Sequence, residues 1–354
     1  MSVVATEAGV SQMTVSRCFR NDPSIPESTR LRIKEIAQRL GYSPDPAVSQ
    51  LMARLRRSRL SFTEPVAWIT THSSQDGWRE NPASLSFFRG ASLRAGQLGY
   101  RLDEFWLNAP GMSASRLGGI MRARGIRGAL IAPLYEPGHS IDLEWDHFAI
   151  ATCGGYSLKG PKIHRACSHH FQAMKVAWDS LTELGYQRIG LALSADLDQR
   201  VAGLWVASLL LEQRNTVPPR RVPPLVSNRW SSEVLLRWYH HYRPDVIISF
   251  KTAFDWLSEK GVRIPEECGF ALLDVEYSGF AGVDERRIDV GAAAFDIVVE
   301  QLVANQLGLP DKPKIVLTEC AWLDGPTAPR KKDIPIRTTA RPKKRGNGEP
   351  VKNC

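Results

Sequence analysis

From Val66 onward, short apolar runs recur along the chain: Val66–Ile69, Ala129–Leu134, Phe148–Thr152, Ile189–Leu193, Val246–Phe250 and Phe270–Leu273. Between several of them lie amphipathic stretches with helical spacing, such as Phe171–Leu184 and Ser232–Tyr239. A strand that is apolar along its whole length is buried on both faces. A helix between two such strands supplies a right-handed crossover. The alternation therefore predicts parallel sheets covered by helices. The region exceeds the ~100–200 residues of a typical domain, so two sheet units fit comfortably. The sequence shows no internal repeat.

The first 41 residues have a different texture, three short helical patterns in succession. A stub, Val3–Ala8, is ended by Gly9, and Ser11 stands where an N-cap opens a helix running to about Phe19. Asn21-Asp22-Pro23-Ser24 has turn composition. Pro26 suits the first turn of a third helix, in which Ile33, Ile36, Ala37 and Leu40 recur at helical spacing before Gly41. In the second helix Val15 faces inward, which leaves Gln12, Met13, Thr14, Ser16 and Arg17 facing outward. This is helix-turn-helix patterning, in which the second helix enters a DNA major groove. Arg17 can donate two hydrogen bonds to guanine and Gln12 can read a base edge, while the Ser11, Thr14 and Ser16 hydroxyls suit phosphates.

Charge is concentrated at the ends. Of a net +9, residues 1–60 hold ten basic and five acidic side chains, and residues 330–354 hold nine basic and two acidic. The stretch between holds 27 basic and 30 acidic. Basic segments on a mildly acidic body point to an anionic polymer or surface as partner. At 43% hydrophobic and 23% charged residues, the composition is globular. No apolar stretch reaches the ~18 residues of a membrane helix, and the start lacks the pattern of a secretory signal. Six scattered cysteines without CxxC spacing fit reduced thiols, so a cytoplasmic protein is expected.

The segment from Val4 to Leu51 resembles the DNA-binding headpiece of the LacI/GalR (lactose repressor/galactose repressor) family of transcriptional regulators. The matching pieces are Glu7-Ala8-Gly9-Val10-Ser11, Thr14-Val15-Ser16-Arg17, Thr29-Arg30, Ile33, Ala37 and Leu40-Gly41-Tyr42-Ser43-Pro44. The resemblance implies a helix-turn-helix domain over residues 1–44 and a hinge helix or linker over 45–60. It implies DNA contacts by Ser11, Gln12, Met13, Thr14, Ser16, Arg17, Arg20, Asn21, Tyr42 and Leu51. Leu51 would be the hinge leucine that wedges into the minor groove and kinks the operator.

More diffusely, the resemblance continues to Gly325, through Leu184-Gly185-Tyr186-Gln187-Arg188-Ile189-Gly190, Arg200-Val201-Ala202-Gly203, Pro244-Asp245-Val246-Ile247 and Gly261-Val262-Arg263-Ile264-Pro265. It implies a periplasmic-binding-protein-like core over 61–325, two doubly wound parallel-sheet subdomains around a cleft with three chain crossings. Arg200 and Asp274 match polar effector ligands by position, and Trp230 an aromatic wall. Ser249-Phe250-Lys251 and His169-His170 depart from the usual sugar contacts. Residues 326–354 read as a basic, disordered tail without leucine heptads.

The expected function is a homodimeric DNA-binding regulator, most simply a repressor. It would bind a pseudo-palindromic operator under control of a sugar-like small molecule, with no cofactor, no membrane partner and no catalytic set. His164, Cys167, His169 and His170 lie close together, but no second Cys/His pair at finger spacing supports a metal site. The alternatives are a solute-binding receptor on the same core without a DNA-reading role, and an enzyme on a Rossmann-like fold.

Overall fold

The structure is a computed structural model and describes residues 2–19, 22–42, 63–134, 141–154, 158, 160–275 and 279–333. Arg20, Asn21, Leu51, the expected hinge at 45–60 and residues 334–354 of the expected tail lie outside the described residues.

The headpiece is three helices, α1 (Ser2–Glu7), α2 (Gln12–Phe19) and α3 (Glu27–Arg39). Val4, Ala5, Ala8, Val15, Cys18, Ile33 and Ala37 form its buried core. Gly9 takes φ +63, which allows the chain to turn between α1 and α2 without the strain a side chain would bring. Ser11 caps α2, its Oγ accepting from Thr14 N–H at 3.1 Å. Arg39 pairs with Glu7 at 2.5 Å, joining α3 to α1.

The core begins with β1 (Glu64–Thr70), α4 (Gly77–Glu80), α5 (Pro82–Leu98), β2 (Tyr100–Trp106), α6 (Ala114–Ala123), β3 (Gly128–Ile131), β4 (Ala149–Cys153) and β5 (His164–Ser168). A second unit follows with α7 (His170–Glu183), β6 (Ile189–Ser194), α8 (Ala195–Arg200), α9 (Leu204–Arg214), β7 (Leu225–Ser227), α10 (Ser232–Tyr242), β8 (Val246–Ser249), α11 (Lys251–Glu259), β9 (Gly269–Leu272) and β10 (Ala281–Asp284). The chain returns to the first unit with α12 (Arg287–Ala304) and β11 (Ile315–Thr318), then closes the second with β12 (Ala321–Leu323).

Each unit holds one six-stranded sheet, ordered β11-β5-β4-β3-β1-β2 and β12-β10-β9-β8-β6-β7. Every neighbouring pair is parallel except β10 with β12. Both faces are covered. Val66 and Trp68 pack into one apolar cluster while Ala67 and Ile69 pack into another; Ile248 and Ile247 divide in the same way in the second sheet. This two-sided burial is why these strands read as unbroken apolar runs. The first subdomain is locked by α5 against α12, where a Cβ on Gly90 would run into the Ile288 carbonyl and one on Gly291 into that of Phe87.

The chain crosses between subdomains three times, at 168–170, 284–287 and 318–321. The crossings are tied to one another. Ser168 Oγ donates to Glu285 O at 2.9 Å, and His169 N donates to Thr318 O at 2.9 Å. Gln172 Nε2 donates to Cys320 O while Cys320 N donates to Gln172 Oε1, at 3.2 and 2.8 Å. The first residues of the expected tail pack on subdomain 2. Thr327 is buried, its carbonyl accepting from Phe270 N and its hydroxyl from Ala281 N.

Candidate functional site

Two sites emerge, one in the headpiece and one between the subdomains. On α2, Val15 and Cys18 are fully buried, which forces Gln12, Met13 and Arg17 outward; Thr14 and Ser16 are partly buried beside them. Met13 is 60% exposed, an apolar side chain with no intramolecular role. Arg17 Nε lies 4.0 Å from Asp22, a loose surface pair that leaves its fork available. The Ser11 and Thr14 hydroxyls are 2.9 Å apart, so the cap residue also orients its neighbour. Tyr42 lies at the edge of the core with its ring 5.6 Å from that of Phe19. Five of the predicted reading residues thus share one surface, while Arg20, Asn21 and Leu51 are outside the described residues.

The second site is a cavity of about 250 Å³ where the strands of both sheets end. Open α/β sheets bind ligands at these carboxyl ends. Subdomain 1 contributes Phe87, Pro133 and Gly154; subdomain 2 contributes Leu197, Arg200, Trp205, Phe250 and Asp274; and Ser168, His170, Glu285 and Arg287 come from the crossings. Arg200, on α8, reaches across to donate to the Leu134 carbonyl of subdomain 1 at 3.4 Å. The turn after it (Ala202 φ 54, Gly203 φ 72) starts α9 so that Trp205 joins the same wall.

Asp274 and Glu285 are nearly buried, and both face Arg287. Arg287 pairs with Asp274 and lies 3.7 Å from Glu285 Oε2. Burial pulls the guanidinium down to about 9, so it remains cationic at neutral pH. His170 Nδ1 donates to Glu285 Oε1 at 3.1 Å. Its Nε2 and the indole N–H of Trp205 are buried without hydrogen-bond partners among the described residues. The two rings meet edge to face at 5.4 Å, and Phe250 lies 5.7 Å beyond Trp205. Two arginines against two carboxylates give a wall of no net charge, rich in donors and acceptors and backed by aromatic rings. Such a wall takes a small, neutral, hydroxylated ligand better than an ion.

Arg200 and Asp274 therefore share one cavity, as their positions in the sequence suggested. Trp230 is placed elsewhere, in the outer apolar cluster of subdomain 2 with its ring 5.5 Å from Trp256. The aromatic wall is formed by Trp205 and Phe250 instead. Sequence reasoning missed Trp205, Glu285 and Arg287. The signal for Trp205 was its place five residues after Arg200, just past a tight turn. The histidines of the 164–170 segment serve separately: His164 Nδ1 accepts from Lys314 N, His169 Nδ1 caps α7, and His170 holds Glu285.

Residues 1–45 match the family model described as bacterial regulatory proteins, lacI family. The chain carries a lacI-family headpiece. Among curated relatives, the HTH-type transcriptional regulator CelR of Thermobifida fusca is 29% identical over 139 residues, 38% of this chain and 37% of that protein. PtxS of Pseudomonas putida is 26% identical over 200 residues, 56% of this chain and 54% of that protein. The matched stretches thus span between about a third and half of these relatives. Solved structures cover more of the chain at lower identity. A CelR–cellobiose complex superposes with TM-score 0.53 at 16% identity, covering 92% of this chain and 98% of that one. A lac repressor dimer bound to operator and the anti-inducer ONPF gives 0.51 at 16%, covering 92% and 97%. The likeness shows the fold alone, a helix-turn-helix headpiece followed by a periplasmic-binding-protein-like core of two parallel-sheet subdomains. Among the described residues no helix is long and apolar enough to cross a membrane.

Proposed function

We propose that this protein is a cytoplasmic transcriptional repressor that binds a pseudo-palindromic DNA operator through α2 and is controlled by a small sugar or sugar derivative in the inter-subdomain cavity. The carrying observation is the coexistence in one chain of the lacI-family headpiece, its reading residues outward, with a cavity whose walls come from both subdomains and from the crossings between them. The charge-balanced, hydroxyl-matching wall supports a sugar, as does the cellobiose held by the CelR structure.

A homodimer follows from the surface. Helix α9 exposes Leu210 and Leu211 on the side away from its core face, and the edge strand β7, next in the chain, exposes Val226. A helix apolar on both sides is buried on both sides in its working state. Two copies joined there present two headpieces, which a two-fold operator requires.

The test is a binding-site selection from random duplexes, followed by competition mobility shifts with and without a panel of mono- and disaccharides. A selected site bound no better than random duplex refutes the regulator reading. It would leave the solute-receptor alternative, provided a sugar still quenches tryptophan fluorescence. Arg17→Ala is expected to cost roughly 1–3 kcal/mol of discrimination at one base position.

A further inference from the structure

Two adjacent side chains of the cavity wall keep unmet hydrogen-bonding capacity. Among the described residues, the buried side-chain polar atoms that lack a hydrogen-bond partner and belong to cavity-lining residues are His170 Nε2, Trp205 Nε1 and Asp274 Oδ2. Asp274 Oδ2 has the Arg287 guanidinium as its ionic partner. His170 and Trp205, 6% and 4% exposed, have nothing comparable at these nitrogens. A buried polar atom without a partner costs free energy in the folded chain, which a bound group of the right polarity returns.

What the two rings touch fixes the polarity of each nitrogen. Glu285 Oε1 lies 3.1 Å from His170 Nδ1, and a carboxylate only accepts, so Nδ1 carries the hydrogen. In the neutral imidazole Nε2 then offers a lone pair. The Trp205 indole only donates. The rings meet edge to face with centroids 5.4 Å apart. One oxygen at hydrogen-bond distance from two nitrogens bridges roughly 5–6 Å between them. A hydroxyl suits both at once, donating to Nε2 and accepting from the indole. A carboxylate, ether or carbonyl oxygen cannot donate, and an ammonium cannot accept. The remaining wall suits one ring. Phe250 extends the aromatic surface beyond Trp205, and Phe87 and Pro133 add apolar surface from subdomain 1. The volume of about 250 Å³ falls below the ~300–1,000 Å³ of pockets for drug-sized ligands.

We propose that the ligand is a single-ring sugar and that His170 and Trp205 together select it by one hydroxyl, held between their ring nitrogens. The inference rests on the sugar reading of the cavity and narrows it. A two-ring sugar, such as the cellobiose of the CelR structure, is disfavoured by bulk. A sugar lacking the selected hydroxyl is disfavoured because it leaves a buried donor and a buried acceptor unmet together.

Isothermal titration calorimetry of the full chain is run with D-glucose, D-galactose, D-mannose, D-xylose and cellobiose, then with the singly deoxygenated analogues of the tightest binder. At least one deoxy analogue should bind about 100-fold more weakly than its parent sugar. The series is repeated on His170→Asn, whose amide keeps a donor for Glu285 without a second ring nitrogen, and on Trp205→Phe, which keeps an aromatic ring without the N–H. In each variant the parent sugar should lose about tenfold or more, while the discriminated deoxy analogue changes by less than about threefold. A merely structural role would weaken both sugars alike. The series on the unaltered chain needs no variant, so the misfolding of either leaves the test intact. Deoxy analogues that all bind within about tenfold of the parent sugar overturn the proposal and leave the sugar reading standing. So does a folded variant that weakens parent and deoxy sugar equally, or cellobiose as the tightest binder. No binding by any of the five at millimolar concentration overturns the sugar reading itself, and the proposal with it.

Discussion

Removing the Glu285 carboxylate should loosen the pivot between the subdomains by a predictable amount. The side chain is 7% exposed, accepts from His170 Nδ1 at 3.1 Å and lies 3.7 Å from Arg287 Nε. At an effective dielectric of about 20, opposite unit charges at that separation attract by roughly 4–5 kcal/mol before desolvation is subtracted. Breaking a buried pair by deleting one partner costs about 3–5 kcal/mol. Here Arg287 keeps Asp274 and is not left unpaired, so the cost falls at or below that range, and Glu285→Ala should destabilise by roughly 2–3 kcal/mol. Glu285→Gln retains an acceptor for His170 and loses only the charge; it should cost about 1 kcal/mol. The Ser168–Glu285 bond uses the main chain and survives in both variants. Urea unfolding followed by far-UV circular dichroism and by tryptophan fluorescence measures the difference, since Trp205 lies 5.4 Å from His170 and reports on the pivot directly. A loss below about 0.5 kcal/mol in the alanine variant would show that the carboxylate does not hold the crossings together.

Gly90→Ala should cost at least 1–3 kcal/mol and lower the melting temperature, because its methyl meets the fixed main-chain carbonyl of Ile288; Gly96→Ala, with open space around it, is the control. His72 and His164 are buried, and burial lowers both pKa values. The unfolded chain therefore takes up protons first, so stability is fully present above pH ~6.5 and falls as pH drops toward the lowered folded values. Thermal melts at pH 7.5 and 5.5 should show the drop, and His164→Gln should shrink it. Leu210→Glu with Leu211→Glu should yield monomers in sedimentation velocity without changing the circular dichroism of the fold.

The alternating core was legible because its central strands are apolar on both faces. Six strands escaped the apolar-run pattern for identifiable reasons. Strand β2 carries Arg101, Asp103 and Glu104 and buries only Phe105, as an edge strand can. Strand β5, His164–Ser168, reads as polar although all but Arg165 are buried; His164 and Ser168 find main-chain partners from other elements. Strand β7 has three residues, and β10, β11 and β12 are short strands toward or at sheet edges. In the cavity, Arg200 and Asp274 were reachable from the ordered motifs around them. Glu285 and Arg287 were not, since their meaning depends on a crossing that brings residue 285 against residue 170. Trp230 illustrates the converse: an aromatic at a suggestive position is satisfied by a neighbouring tryptophan.

The overlap between cavity wall and pivot bears on control. Ser168, His170, Glu285 and Arg287 line the cavity and also stand at the crossings, so a ligand touching them acts on the pivot without an intervening relay. Allosteric couplings are typically ~1–3 kcal/mol, the size of one or two hydrogen bonds gained or lost at such a point. Arg200 already spans the gap to Leu134, so the two subdomains are in contact through a side chain that a ligand would have to share or displace. On the proposed reading, displacement favours opening and sharing favours closure. The headpiece joins subdomain 1 alone, so either movement changes the spacing of paired headpieces once subdomain 2 is fixed through α9. The sign of control therefore turns on whether a bound sugar completes or breaks the Arg200 bridge. Arg200→Ala decides between them: it should abolish the sugar response if the ligand shares that contact, and mimic the sugar-bound state if the ligand displaces it.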